Sequence, residues 1–289
     1  EGAFFTIPHA WIFGLTLGYE FHSNLSDVAR DTSYGLKPFL WMLDRIENTA
    51  LRSARVIISA VPAPVDELKG LVGHDRVFCV YDAAPEEVIH DSAAVSEEEV
   101  LEDVDDWLRD DRIKIIYTGS FAGYQRMDQF IEGFGQVENR DQFQVLLVGG
   151  TDREVAAIRE QIANLGLEDC TKLTGRVDGS LIPSILSRAD VLASPRTECR
   201  HTPLKIYTYM WAGKPLLVSD VTCHRVIFED DEVVWADPSP SGYARGIESL
   251  AERDLDQYGR IIRKKYREEF DFDQFVERHR PVLQALQER

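Results

Sequence analysis

Basic charge, sulfur and long apolar stretches are all scarce in this chain of 289 residues. Lysine and arginine number 32 against 50 aspartates and glutamates, a formal net charge of −18. A protein that grips a nucleic-acid backbone neutralises phosphates with a basic face; this balance supplies none, and no nucleic-acid partner is expected. An anionic membrane surface is disfavoured for the same reason. The one local basic cluster, Arg260 to Arg267 with Arg263, Lys264 and Lys265, reads as the solvated face of a helix and leaves room for peripheral membrane contact only. The four cysteines, Cys79, Cys170, Cys199 and Cys223, are far apart and form no C-x-x-C pair. That spacing argues against zinc and against a disulfide framework, and it fits a reducing cytoplasm. No apolar run nears the roughly 20 residues that span a bilayer, and the first residues lack the basic-then-apolar pattern of a secretion signal. No G-x-G-x-x-G follows a first strand, which removes the usual dehydrogenase fingerprint. The carboxylates lack calcium-loop spacing, so no metal and no cofactor is expected.

What the chain does have is rhythm. With 44% hydrophobic residues it can bury a real core, and its length suits two ordinary domains. From residue 112 onward, apolar runs alternate with helical stretches: Ile113 to Thr118, Val145 to Gly150, Thr171 to Thr174, Val191 to Ser194, Pro215 to Ser219 and Val233 to Ala236. Near-continuous apolar strands separated by helices predict an α/β fold with a doubly wound parallel sheet covered on both faces. Ligands of such sheets bind beyond the carboxyl ends of the strands.

The expected organisation is a partial α/β domain over 1–84, an acidic linker over 85–111, a Rossmann-like domain over 112–254, and C-terminal helices over 255–289 that pack back on the N-terminal part. In the first region the strands fall at Leu17 to His22, Arg55 to Ala60 and Arg76 to Tyr81, with a long helix from Leu36 to Leu51. Too few strands are present there for a whole sheet. Because position 1 is Glu rather than Met, the chain reads as the later part of a longer protein. The last stretch carries an aromatic stripe, Tyr258, Tyr266, Phe270, Phe272 and Phe275, of the kind that fills cores.

The most informative segment runs from Ser194 to Ser219. An apolar strand ends at Ser194, a polar, Pro-marked loop covers Arg196 to Pro203, and Leu204 to Ala212 has helical composition stopped by Gly213 and Pro215. The loop therefore sits at a helix N-terminus, where free backbone N–H groups and the helix dipole favour an anion. Arg196, Arg200, His201 and Lys205 crowd round the same point.

Several consecutive motifs carry a resemblance: Tyr117-Thr-Gly-Ser-Phe with Tyr124-Gln-Arg-Met-Asp128, Leu146-Leu-Val-Gly-Gly150, Ala189-Asp-Val-Leu-Ala-Ser-Pro-Arg196, and Thr202-Pro-Leu-Lys-Ile-Tyr-Thr-Tyr-Met210 with Ala212-Gly-Lys-Pro215. In these the sequence resembles the family 4 glycosyltransferases of the GT-B type over about residues 112 to 280. Residues 15 to 85 match more weakly, through Glu20-Phe-His-Ser23 and Ala54-Arg-Val-Ile-Ile-Ser59. The resemblance implies two facing α/β domains, a nucleotide-diphospho-sugar donor held by the C-terminal one, an unidentified glycan, lipid-linked or small-molecule acceptor, retention of anomeric configuration and no bound metal.

Transfer of a sugar needs negative charge stabilised on the leaving diphosphate. The residues expected to do so are Arg126, Arg196, Arg200 and Lys205, joined by the loop amides of residues 201 to 205, with His201, Thr202 and Leu204 supplying N–H groups and Pro203 lining the donor beside them. Gly119, Ser120, Gly149 and Gly150 permit close backbone approach to the donor, and His22 is the candidate on the acceptor side. Two departures from the family pattern stand out. The paired glutamates of many members fall in register at Arg200 and Thr208, with Glu198 nearby, and a threonine is no ionised acceptor for a ribose diol. The usual Arg and Lys for the diphosphate fall at Ser120 and Gln125, with Arg126 adjacent. Two alternatives stay open: a catalytically inactive GT-B partner or binding subunit, and a nucleotide-sugar epimerase-type enzyme.

Overall fold

The computed structural model describes residues 12–13, 16–21, 40–60, 62, 64–84, 98–108, 111–196 and 202–287. The first elements are β1 (Gly18–Phe21), α1 (Leu40–Ser53), β2 (Val56–Ser59), α2 (Val65–Val72) and β3 (Val77–Cys79). Then follow α3 (Glu98–Trp107), β4 (Ile113–Thr118), α4 (Met127–Gln136), β5 (Phe143–Val148), α5 (Asp152–Leu165), β6 (Thr171–Gly175), α6 (Ile182–Ser187) and β7 (Val191–Ser194). The chain ends with α7 (Leu204–Ala212), β8 (Leu216–Ser219), α8 (Thr222–Arg225), β9 (Val234–Ala236), α9 (Pro240–Leu250), α10 (Leu255–Lys265) and α11 (Phe272–Gln287). It divides into two compact units, one made of Glu1–Asp82 with Phe272–Arg289 and the other of Ala83–Asp271.

The first unit holds three parallel strands in the order β1-β2-β3. Successive side chains on a strand point to opposite faces, and both faces here are apolar. Ile57 and Val77 pack with Phe21, Leu51, Leu68 and Val72 on one side. Val56 and Val80, joined by Ile58 and Phe78, pack against Val282, Ala285 and Leu286 of α11 on the other. The Arg55 Nε donates to the Ala285 carbonyl at 2.9 Å, tying the last helix to the sheet.

The second unit is a doubly wound sheet of six parallel strands in the order β6-β5-β4-β7-β8-β9. The chain winds outward one way from β4 and the other way from β7, so the ends of β4 and β7 flank the topological switch point. β5 is buried along its whole length, as a central parallel strand covered on both faces should be. Register brings Thr118 level with Val148 and Ser194 level with Val218 at the carboxyl edge.

The structure redraws three expectations. Part of the acidic, partly helical stretch expected as linker is the helix α3, which buries Val104, with Leu108 just beyond it, in the second unit. Its Asp105 pairs with Arg188, and Asp103 pairs with Lys172 at 2.7 Å. The C-terminal helices also divide: α10 and the π-turn Tyr266–Phe270 belong to the second unit, where Phe270 packs its ring 5.5 Å from that of Tyr207. Only α11 joins the first unit. Finally, Cys79 and Cys170 are free thiols while Cys223 is disulfide-bonded, against the expectation of no disulfide. Among the described residues no helix is long and apolar enough to cross a membrane.

Candidate functional site

The loops after β4 and β5 close on each other at the carboxyl edge. The Gly150 amide donates to the Gly119 carbonyl at 3.1 Å. Gly149 sits at φ 117°, and a Cβ there would lie 2.1 Å from the Gly119 oxygen; one on Gly150, at φ 78°, would lie 2.6 Å from the Phe121 ring. These glycines are thus required first by loop-on-loop packing, a reason the sequence reading had assigned to close approach of a ligand. Beside them is a pocket of 270 Å³, lined by Gly119, Ser120, Gly149 and Gly150 with Arg176, Val177 and Ile182. The last three were not anticipated, because they follow β6, a strand whose loop carries no distinctive motif.

Arg196 and Lys205 are brought to the same place. The Lys205 Nζ lies 3.8 Å from the Tyr117 ring centroid and donates to the Gln125 Oε1 at 3.2 Å. Tyr117 in turn donates its hydroxyl to the Ser120 carbonyl at 2.5 Å. The Arg196 guanidinium stacks over Tyr124 at 5.0 Å, and its Nε is buried without a hydrogen-bond partner. Neither cation has a carboxylate partner among the described residues. Burial, with the Arg196 charge close by, holds the Lys205 amine well below its ordinary range, and burial also lowers Arg196.

The helices that follow two of these loops begin differently. α5 is closed by a capping box in which Thr151 and Glu154 bond reciprocally. α7 starts after Pro203 with no side-chain cap, leaving its first N–H groups without a side-chain acceptor. Leu204 is exposed at this terminus, while Thr202 and Pro203 are buried. The Thr202 hydroxyl donates to the Cys223 carbonyl at 3.1 Å. Thr208, one turn further on, is buried in the helix.

Arg126 stands at the start of α4. It adopts the left-handed conformation at φ 51°, and its Nη2 lies 3.3 Å from Asp128 Oδ2. One end of its guanidinium thus has a carboxylate, while its Nε is buried without a hydrogen-bond partner. His22, Glu198, Arg200 and His201 lie outside the described residues.

Behind Arg196 lies a buried polar cluster that sequence reasoning missed. His224 is fully buried, with Nδ1 2.8 Å from the Ser219 carbonyl and Nε2 3.2 Å from Ser194 Oγ. The carbonyl only accepts, so Nδ1 carries the proton and Nε2 accepts from Ser194. The Arg196 amide donates to Ser219 Oγ at 2.6 Å, and Ser219 Oγ is 3.0 Å from the Tyr243 hydroxyl. Burial pushes the His224 imidazole down to about 4, against a helping bond from Ser219, and the charges of Arg196 and Lys205 push the same way. The only sequence signal was that two apolar strands each end in serine.

Two separate parallel α/β units, the second with a doubly wound sheet and its glycine loops and uncapped helix at one edge, have the architecture of the GT-B fold. Residues 112–253 match the family model described as Glycosyl transferases group 1. Through that segment the chain is similar to these glycosyltransferases. Solved structures agree in fold: HepE of Anabaena in complex with UDP is 16% identical at a TM-score of 0.77, covering 98% of this chain and 75% of that one. Sucrose-phosphate synthase from Thermosynechococcus elongatus is 16% identical at 0.72, covering 98% and 72%. A glycosyltransferase from Rickettsia africae is 13% identical at 0.71, covering 99% and 81%. No curated protein matches the chain significantly.

Proposed function

We propose that the chain transfers a sugar from a nucleotide-diphospho-sugar to an acceptor hydroxyl, with retention and without a bound metal. The diphosphate is read at Arg196, Lys205 and the start of α7, and the nucleoside in the 270 Å³ pocket by Gly119, Gly150 and Arg176. The observation that carries this reading is a pair of desolvated cations, with no carboxylate partner among the described residues, at an uncapped helix N-terminus. Arginine's fork and lysine's ammonium both suit phosphate oxygens. HepE was solved with UDP and with UDP-glucose, which lends support to a uridine donor.

In the reaction the bond between the anomeric carbon and the diphosphate oxygen breaks, and its electron pair goes to the diphosphate. The acceptor oxygen bonds to the anomeric carbon, and its proton passes to the leaving diphosphate. Arg196 and Lys205 act by meeting the charge that develops on that leaving group, in a site where burial strengthens the interaction. Calorimetry of the chain with UDP, GDP, ADP and NAD tests the reading: a nucleoside diphosphate should bind more tightly than NAD, and NAD binding as tightly as all three would defeat it.

A second reading is a GT-B subunit that binds the nucleotide without transfer. It rests on Thr208, which stands buried where the family pattern implied a glutamate. Product analysis with a UDP-sugar separates the two, since a binding subunit releases no UDP. An epimerase would release none either but would alter the sugar.

A further inference from the structure

We infer that His224 is a positioning residue, stapling the ends of β7 and β8 so that Arg196 leaves the sheet aimed at the diphosphate. The inference rests on the reading of Arg196 as a diphosphate contact. Ser194 and Ser219 are fully buried and lie at the carboxyl ends of neighbouring parallel strands. Arg196 follows Ser194 by two residues, just where the ladder has ended and nothing in the sheet itself fixes the backbone. The imidazole bridges the two strand ends, accepting from the Ser194 hydroxyl and donating to the Ser219 carbonyl. Ser219 then turns its own hydroxyl oxygen to the Arg196 amide at 2.6 Å, with the Tyr243 hydroxyl 3.0 Å from the same oxygen.

Every polar atom in this chain is used, and a fully satisfied buried network fixes geometry rather than merely tolerating burial. Only a neutral imidazole serves, since it must accept at one nitrogen while donating at the other. A proton added to it would face two cations, Arg196 and Lys205, with no carboxylate among the groups that act on it. The device spans four elements, β7, β8, α8 and α9, that meet only in the folded sheet.

A double-mutant cycle on UDP affinity tests this. His224→Asn keeps a donor for the Ser219 carbonyl and loses the acceptor for Ser194; Ser194→Ala removes the same bond without a large cavity. Each should weaken UDP binding by about tenfold, as expected for one lost buried hydrogen bond at a site it positions. In an Arg196→Ala background both should have almost no further effect, a non-additivity that a general loss of stability would not produce. Additive losses, or wild-type UDP affinity in both single variants, would overturn the positioning role. If Arg196→Ala alone binds UDP like the wild type, the site reading fails instead. Should His224→Asn fold poorly, as thermal melting would reveal, Ser194→Ala carries the cycle alone.

Discussion

The two edges of the six-stranded sheet treat their cations in opposite ways. At the amino edge, Lys114 lies 3.5 Å from Asp190, Lys172 lies 2.7 Å from Asp103, and Arg188 is held by Asp105. At the carboxyl edge, Arg225 is clasped by Asp220 and Asp230, yet Arg196 and Lys205 have no carboxylate partner among the described residues. Carboxylates are not scarce in a chain with 50 of them. Leaving two half-buried cations without one is costly, and on the proposed reading an anion offsets that cost. On the proposed reading the paired edge serves the fold and the unpaired corner a ligand.

The largest way to break this contrast is to deform the carboxyl edge itself. Gly149→Ala places a Cβ 2.1 Å from the Gly119 oxygen at a positive φ, and should cost on the order of 4 kcal/mol in a denaturant melt. A near-neutral result would mean that the two loops do not pack as described.

Acid strikes the same corner through His224. Its folded value of about 4 lies below the ordinary 6.5, so the unfolded chain binds the proton more readily. Stability from this group is therefore complete above about pH 6.5 and is lost as pH falls toward 4, by about 3 kcal/mol. Melting temperatures over that range should decline in the wild type and decline less in His224→Asn.

Lys205 predicts a smaller, more specific signal. Its amine is held well below the ordinary lysine range by burial and by the Arg196 charge. Raising the pH should therefore strip its charge, and weaken UDP binding, earlier than for an ordinary lysine, as titrations over a pH series would show. In Arg196→Ala that loss should move to higher pH, because the Arg196 charge is part of what holds the amine low. The smallest effect belongs to the amino edge: Lys172→Ala should shift stability by about 0–1 kcal/mol, as partly exposed pairs do, and leave UDP affinity alone.

The contrast between what was legible and what was not follows the same line. Strands β4 and β7 could be read to the residue because Ile113 to Thr118 and Val191 to Ser194 are apolar runs bounded by charge and proline. β5 begins at Phe143 and stops at Val148, since Gly149 and Gly150 turn to positive φ where a strand cannot continue. The basic loop at the start of α7 was visible because its residues are adjacent in the chain. Ser194, Ser219, His224 and Tyr243 were not, because only the strand order β7-β8 and the return of α9 bring them together. The ion pair of Arg126 with Asp128 was not read either, because composition does not say which carboxylate a side chain turns to.

The central claim is that unpaired cations mark the ligand and paired ones do not. Calorimetry with UDP on Arg196→Ala, Lys205→Ala and Lys172→Ala tests it most directly. Loss of a charge-assisted contact should cost about 1.5–3 kcal/mol, or roughly 10 to 150-fold in affinity, for each of the first two, with Lys172→Ala binding like the wild type. Wild-type affinity in both Arg196→Ala and Lys205→Ala, or an equal loss in all three, would contradict the account.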